Sequence, residues 1–119
     1  MTGKELANIV FSRVDAMDAQ GFASHLTADS KFVFGNWPAA EGPEAAAQAV
    51  GEFFNGIDGI EHDIQDVWEC DETVCVRLAV TYHRKDGTSV TLPCANIWKC
   101  QGDKISDYRI YMDVNPVFA

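Results

Sequence analysis

Positive charge is scarce in this chain. Nine Lys and Arg stand against eighteen Asp and Glu in 119 residues, a formal net charge of -9. Nucleic acid and anionic membrane surfaces both need clustered cations to neutralise phosphates, so neither is an expected partner. Long apolar runs are missing too: nothing approaches the roughly 18 uninterrupted apolar residues of a membrane span. The N-terminus, MTGKELANIV, lacks the basic and then apolar order of a secretory leader. A cytoplasmic location is the expectation. The four cysteines, Cys70, Cys75, Cys94 and Cys100, form neither CxxC nor a metal-ligand run, and read as small hydrophobes in strands of a reducing compartment. No His, Asp or Glu set recurs at ligand spacing, and no serine or cysteine has an identifiable base and orienter. No metal or other cofactor is expected. Repeats, low-complexity tracts and internal linkers are absent as well, and the length suits one domain over residues 1–119 with any site built into its single core.

What the chain does contain is a clear order of elements. Thr2 with Glu5 three residues later is a capping box, and Leu6, Ile9, Val10, Val14 and Met17 follow at helical spacing until Gly21 offers a stop. Phe22 to Leu26 reads as one further helical turn, Asp29-Ser30 as a break, and Lys31 to Phe34 as a short strand ended by Gly35-Asn36-Trp37-Pro38. Gly42-Pro43-Glu44 opens a second main helix near residues 43–54, with Ala46, Val50, Phe53 and Phe54 as its apolar stripe. From Gly59 onward, the turns Asp71-Glu72, Asp86-Gly87 and Gly102-Asp103 separate four runs rich in β-branched and aromatic residues, an antiparallel meander. Helices first and a meander afterwards make an α+β domain, with the helices gathered on one face of the sheet.

This order, together with the segments ADSKFVFGN, EGPEAA, DGTS and GDKISDYRIYMD, resembles the nuclear transport factor two-like superfamily and, within it, the SnoaL-like proteins. The similarity spans nearly the whole chain. It implies a cone in which a strongly curved, mostly antiparallel sheet wraps the N-terminal helix and leaves an apolar pocket open at one end. Among relatives, the closing strand of limonene epoxide hydrolases is similar to SDYRIYMD, yet their catalytic aspartate falls where this chain has Ile110. Of the arginine and aspartate those enzymes carry on an earlier strand, the comparison keeps Arg77 and puts Ala79 in place of the acid. Ketosteroid isomerases place a general base where this chain has Phe34 and an acid donor where it has Asn96; a phenylalanine cannot shuttle a proton, although an amide can donate a hydrogen bond. Neither mechanism is expected here.

The comparison sets Arg77 inward, which carries Cys75, Ala79 and Thr81 inward with it, and on the closing strand it turns Tyr108, Ile110 and Met112 to the pocket. Phe32, Phe34, His62, Ile64, Asn96 and Trp98 complete the walls, with Trp37 and Phe53 near the mouth. Such a pocket suits a small apolar organic ligand, flat or polycyclic, that carries a carbonyl or hydroxyl group. His62, between Ile60 and Ile64 on one strand face, is either an acid/base group or a core histidine held by one hydrogen bond. His25 and His83, near element ends, read as surface residues. Arg77 in an otherwise apolar strand needs a partner, a ligand oxygen or an internal acid such as Asp107 or Asp113. Tyr108 and Asn96 are either oxyanion donors or polar groups satisfied within the sheet. Asp107, Arg109 and Asp113 fall on the outer face, where Trp68, Val76, Leu78, Val80 and Tyr82 would supply apolar area to a homodimer contact. Three functions stay open: a cyclase- or isomerase-type enzyme using His62, Arg77, Tyr108 and Asn96; a ligand-binding protein without chemistry; and an association module.

Overall fold

A computed structural model describes residues 1–119. The first helix, α1, runs Gly3–Asp15 and is closed at its start by the expected capping box: Thr2 accepts from the Glu5 N–H, and Glu5 returns the bond to the Thr2 N–H. It stops six residues before Gly21. Met17 takes a left-handed conformation (φ 55°), which an α-helix cannot continue, and Asp18 then caps a separate short helix, α2, over Ala19–Ala23 by accepting from the Gly21 N–H.

The first strand, β1, extends over Leu26–Phe34, longer than the Lys31–Phe34 run. Asp29-Ser30 does not end it but lies in an irregular stretch between two paired segments, where the register shifts between Leu26 and Lys31. A two-residue strand, β2 (Ala40–Glu41), pairs with β1, and helix α3 (Pro43–Asn55) follows behind Gly42, whose φ of 87° favours glycine. The meander is as expected: β3 (Gly59–Cys70), β4 (Thr73–His83), β5 (Ser89–Gln101) and β6 (Lys104–Tyr111) pair antiparallel in sequence. A four-residue helix, α4 (Asn115–Phe118), ends the chain.

The six strands form one curled sheet in the order β2-β1-β6-β5-β4-β3, with β1 joined to β6 in parallel. Its concave face holds the core. Leu6, Val10 and Phe11 of α1 and Ala46, Val50 and Phe54 of α3 pack there, against Val76, Leu78 and Val80 of β4, Trp98 of β5 and Tyr108 of β6. This is the α+β cone. No helix is long and apolar enough to cross a membrane.

On β4 the faces are the reverse of the expected ones. Val74, Val76, Leu78, Val80 and Tyr82 are buried on the concave side, whereas Cys75, Arg77, Ala79 and Thr81 stand on the convex side. A side chain changes face with every residue, so fixing Arg77 inward inverted the whole strand. The physical preference runs the other way: five apolar or aromatic side chains gain by burial, and a guanidinium keeps its hydration.

Candidate functional site

An apolar cavity lies between α1, α3 and the concave face of the sheet. Eighteen of its twenty-one lining residues are hydrophobic, so the few polar groups decide its chemistry. They are His62 and Asn96, together with the polar tips of three otherwise apolar side chains, Tyr82, Tyr108 and Cys94.

His62 sits on β3 opposite Val80 and is nearly enclosed. Asp15, the last residue of α1, holds it twice: Oδ1 lies 2.5 Å from Nδ1 of the ring, and the carboxylate also accepts from the His62 backbone N–H at 3.0 Å. Phe11, one helical turn earlier, stacks on the imidazole with ring centroids 4.6 Å apart. One turn of α1 therefore fixes both the plane and the tautomer of the ring. With Nδ1–H directed at the carboxylate, Nε2 carries the lone pair that can accept a proton, and the carboxylate stabilises the imidazolium that results.

Asn96 on β5 is buried, and its orientation is dictated by Trp98. An indole N–H can only donate, so the amide oxygen faces it, at 3.1 Å. The NH2 group is left to the other side, where one proton approaches Cys94 Sγ at 3.4 Å and the second is available to a ligand oxygen. Tyr108 on β6 is wedged between Trp98 (5.0 Å), Phe22 (5.3 Å) and Phe32 (5.4 Å). Burial above all, with the Cys94 thiol beside it, pushes the Tyr108 phenol well above its ordinary range, so it stays a donor. Tyr82 is held protonated in the same way, and its hydroxyl donates to Met112 Sδ at 3.2 Å, a weak acceptor that a ligand oxygen would outcompete. Cys94 is pushed up to about 12 by burial, which removes it as a nucleophile.

Nine expected site residues line this cavity: His62, Asn96, Tyr108, Phe32, Phe34, Trp37, Phe53, Ile110 and Met112. Five do not. Arg77, Ala79 and Thr81 lie on the convex face for the reason given above. Arg77 is 61 % exposed and its Nε donates to Asp66 Oδ2 at 2.8 Å, so its partner is a neighbouring strand's acid rather than a ligand, Asp107 or Asp113. With Arg77 and Ala79 facing out, neither reaches a ligand in the cavity. Trp98, fully buried, forms a layer behind Asn96 and Tyr108, and Ile64 packs into the core beyond His62. Asp107 pairs with Arg109 on the outer face. His83 is a surface residue bound to Glu61 and Ser89, whereas His25 is not: its Nε2 is buried without a partner, and burial pulls its pKa down.

Sequence reasoning missed Asp15, Tyr82 and Cys94. Asp15 had a signal, since it lies four residues after Phe11 and so shares a helix face with a core aromatic. Tyr82 and Cys94 were hidden by the strand inversion and by reading cysteines only as filler.

No curated protein sequence matches the chain. The family described as the SnoaL-like domain matches residues 10–108. Among solved structures, a hypothetical protein of ketosteroid isomerase-like fold from Catenulispora acidiphila, in complex with trimethylamine, superposes with a TM-score of 0.89 at 16% identity, over 98% of this chain and 91% of that one. A SnoaL-like polyketide cyclase, so described, from Jannaschia sp. has a TM-score of 0.85 at 17% identity, over 98% and 88%. A limonene-epoxide-hydrolase-like epoxide hydrolase of M. tuberculosis has a TM-score of 0.80 at 14% identity, over 98% and 86%. At these identities the likeness is one of fold.

Proposed function

We propose, from the premise that this chain belongs to the SnoaL-like family, that it moves a proton between carbon atoms of an apolar carbonyl compound, an isomerase- or cyclase-type reaction without a cofactor. The carrying observation is the His62–Asp15 pair aimed into an otherwise apolar cavity that also holds oriented N–H and O–H donors. Nε2 of His62 takes a proton from the carbon beside the carbonyl, and the C–H electron pair moves into the enolate. Asn96 Nδ2 and the Tyr108 hydroxyl hydrogen-bond the developing oxyanion. The imidazolium, balanced by Asp15, returns the proton to another carbon; alternatively the enolate carbon attacks a second carbonyl of the same molecule, closing a ring as that carbonyl's π pair moves to its oxygen, which takes the proton from the imidazolium. The SnoaL-like cyclase of similar fold supports this class. The hydrolase route has no support in β6, because Ile110 puts a hydrocarbon into the cavity.

Deuterium exchange at the α-carbon of a panel of simple ketones, followed by NMR, tests the reaction. His62→Gln should slow exchange by about 10²- to 10⁴-fold, the usual worth of a placed acid/base group. Catalysed exchange at the same rate in the variant would remove His62 from the reaction, and no exchange above the buffer rate with either protein would leave ligand binding without chemistry, a reading that the trimethylamine-bound relative also supports.

We also propose a homodimer through the convex face of the sheet. Trp68 (55% exposed), Ile97 (38%) and Tyr111 (51%) stand out there among Cys75, Ala79 and Ala95, with the Arg77–Asp66 and Arg109–Asp107 pairs interleaved among them. Exposed aromatic side chains beside arginines are the residue types enriched at interfaces. Light scattering should give twice the chain mass, and Trp68→Glu should give the monomer; a monomeric wild type at tens of micromolar would remove the proposal.

A further inference from the structure

We propose that the cavity is cut for a single-ring ligand and shuts out fused polycycles, with Phe53 setting the limit; the inference rests on the proton-transfer reading only in placing the ligand's oxygen at Asn96 and Tyr108. The space open to water centres inside it is about 80 Å³. That is about half the roughly 150 Å³ of a cavity that takes up benzene, so one six-membered ring fills it with its substituent left in the open mouth, and a second fused ring has no room.

The walls have little room to yield. They are aromatic rings already touching one another. At the inner end, Phe22, Phe32 and Tyr108 meet pairwise at 5.3–5.4 Å and rest on buried Trp98. Toward the mouth, Phe53 bridges Phe34 (5.3 Å), Tyr82 (5.8 Å) and, on its far side, Phe118 of α4 (5.8 Å). Phe34 in turn stacks on Trp37 at 5.1 Å. A larger ligand would have to separate such pairs or push strand backbone apart, and close-packed interiors resist both. Phe53 is the exception that sets the size: it projects from α3 rather than from the sheet, is only partly buried, and its removal opens the cavity toward α4 without touching His62, Asn96 or Tyr108.

Titration of the whole protein with phenol, 2-naphthol and 9-phenanthrol, one, two and three rings on a common hydroxyl, tests the limit without any turnover. Apolar area alone would favour the larger ring. We expect the opposite order, phenol at least tenfold tighter than 2-naphthol and no measurable phenanthrol binding. Phe53→Ala, with Phe53→Leu as the milder variant should alanine unfold the protein, should reverse the first two. Naphthol tighter than phenol on the wild type overturns the proposal, as does a Phe53 variant that folds and keeps the original order, or failure of phenol to bind. The expected order with no α-carbon exchange would remove the proton-transfer reading and leave the size limit standing. Exchange with the order reversed would do the converse.

Discussion

The two faces of β4 and β5 are made of the same backbone and have opposite consequences. On the concave side, Val76, Leu78, Val80, Tyr82, Cys94, Asn96 and Trp98 meet α1, α3 and the cavity, and each polar atom among them has a stated partner or a place for a ligand. On the convex side, Cys75, Arg77, Ala79, Ala95 and Ile97 leave the charged groups in solvent, paired at close range. The difference shows where a polar group counts. His62 and Asn96 are few and enclosed, so their orientation is fixed and their electrostatics strong, whereas the more numerous outer charges are screened and interchangeable.

The sharpest way to break this contrast is to empty the inner layer. Trp98→Ala should cost about 3–5 kcal/mol in urea denaturation, because a fully buried indole leaves a cavity and strips Asn96 of the donor that orients it. A loss under about 1 kcal/mol would show that the inner face is not the tightly packed one. Thiol chemistry gives a finer probe of the same division. Cys70 is exposed, whereas Cys94 is buried with its pKa pushed up to about 12, so at pH 8 only roughly one Cys94 in ten thousand is thiolate. Iodoacetamide should label Cys70 at least 100-fold faster than Cys94 in the folded protein, and Cys94 should stay slow as the pH rises from 7 to 9, read by peptide mass spectrometry. Prompt Cys94 labelling would mean that the cavity is wet and open. The smallest effect belongs outside: in the Trp68→Glu monomer, Arg77→Ala should cost at most about 1 kcal/mol and less in high salt, since the pair with Asp66 is largely exposed on the single chain. A cost above about 2 kcal/mol in that monomer would show that the outer pair is not screened by solvent.

Legibility in the sequence followed how local each signal is. The Thr2–Glu5 box, Gly42-Pro43 and the three hairpin turns act within a few residues, and every one of them marks a real boundary. β2 and α4 are too short to carry a period, although Pro116 was a usable helix-start signal for the latter. On β3 the alternation around Ile60, His62 and Ile64 is enough to set His62 inward, whereas on the closing strand it is the resemblance that turns Tyr108, Ile110 and Met112 to the cavity they line. On β4 the resemblance to the epoxide hydrolases sets the single arginine of an apolar run inward, and that one misplaced residue turns Arg77, Ala79 and Thr81 into pocket residues and Tyr82 into an interface residue. Asp15 could be placed on the Phe11 face of α1, but its meeting with His62 is a tertiary event between residues 47 apart in the chain, and nothing local announces it.

The parallel seam between β1 and β6 also bears on how the molecule comes into being. β1 emerges from the ribosome early, yet its main partner on the sheet is the last strand made, with Phe34 opposite Ile110. The three hairpins of β3 to β6 can close locally, while the β1 edge must wait, exposed, for nearly the entire chain to be synthesised. The cavity is lined by residues from both sides of that seam, Phe32 and Phe34 on one and Tyr108 and Ile110 on the other. Competence to bind therefore arrives with the final folding step rather than accumulating along the way, and a nascent chain stalled before residue 104 would carry His62 and Asp15 but no enclosed site.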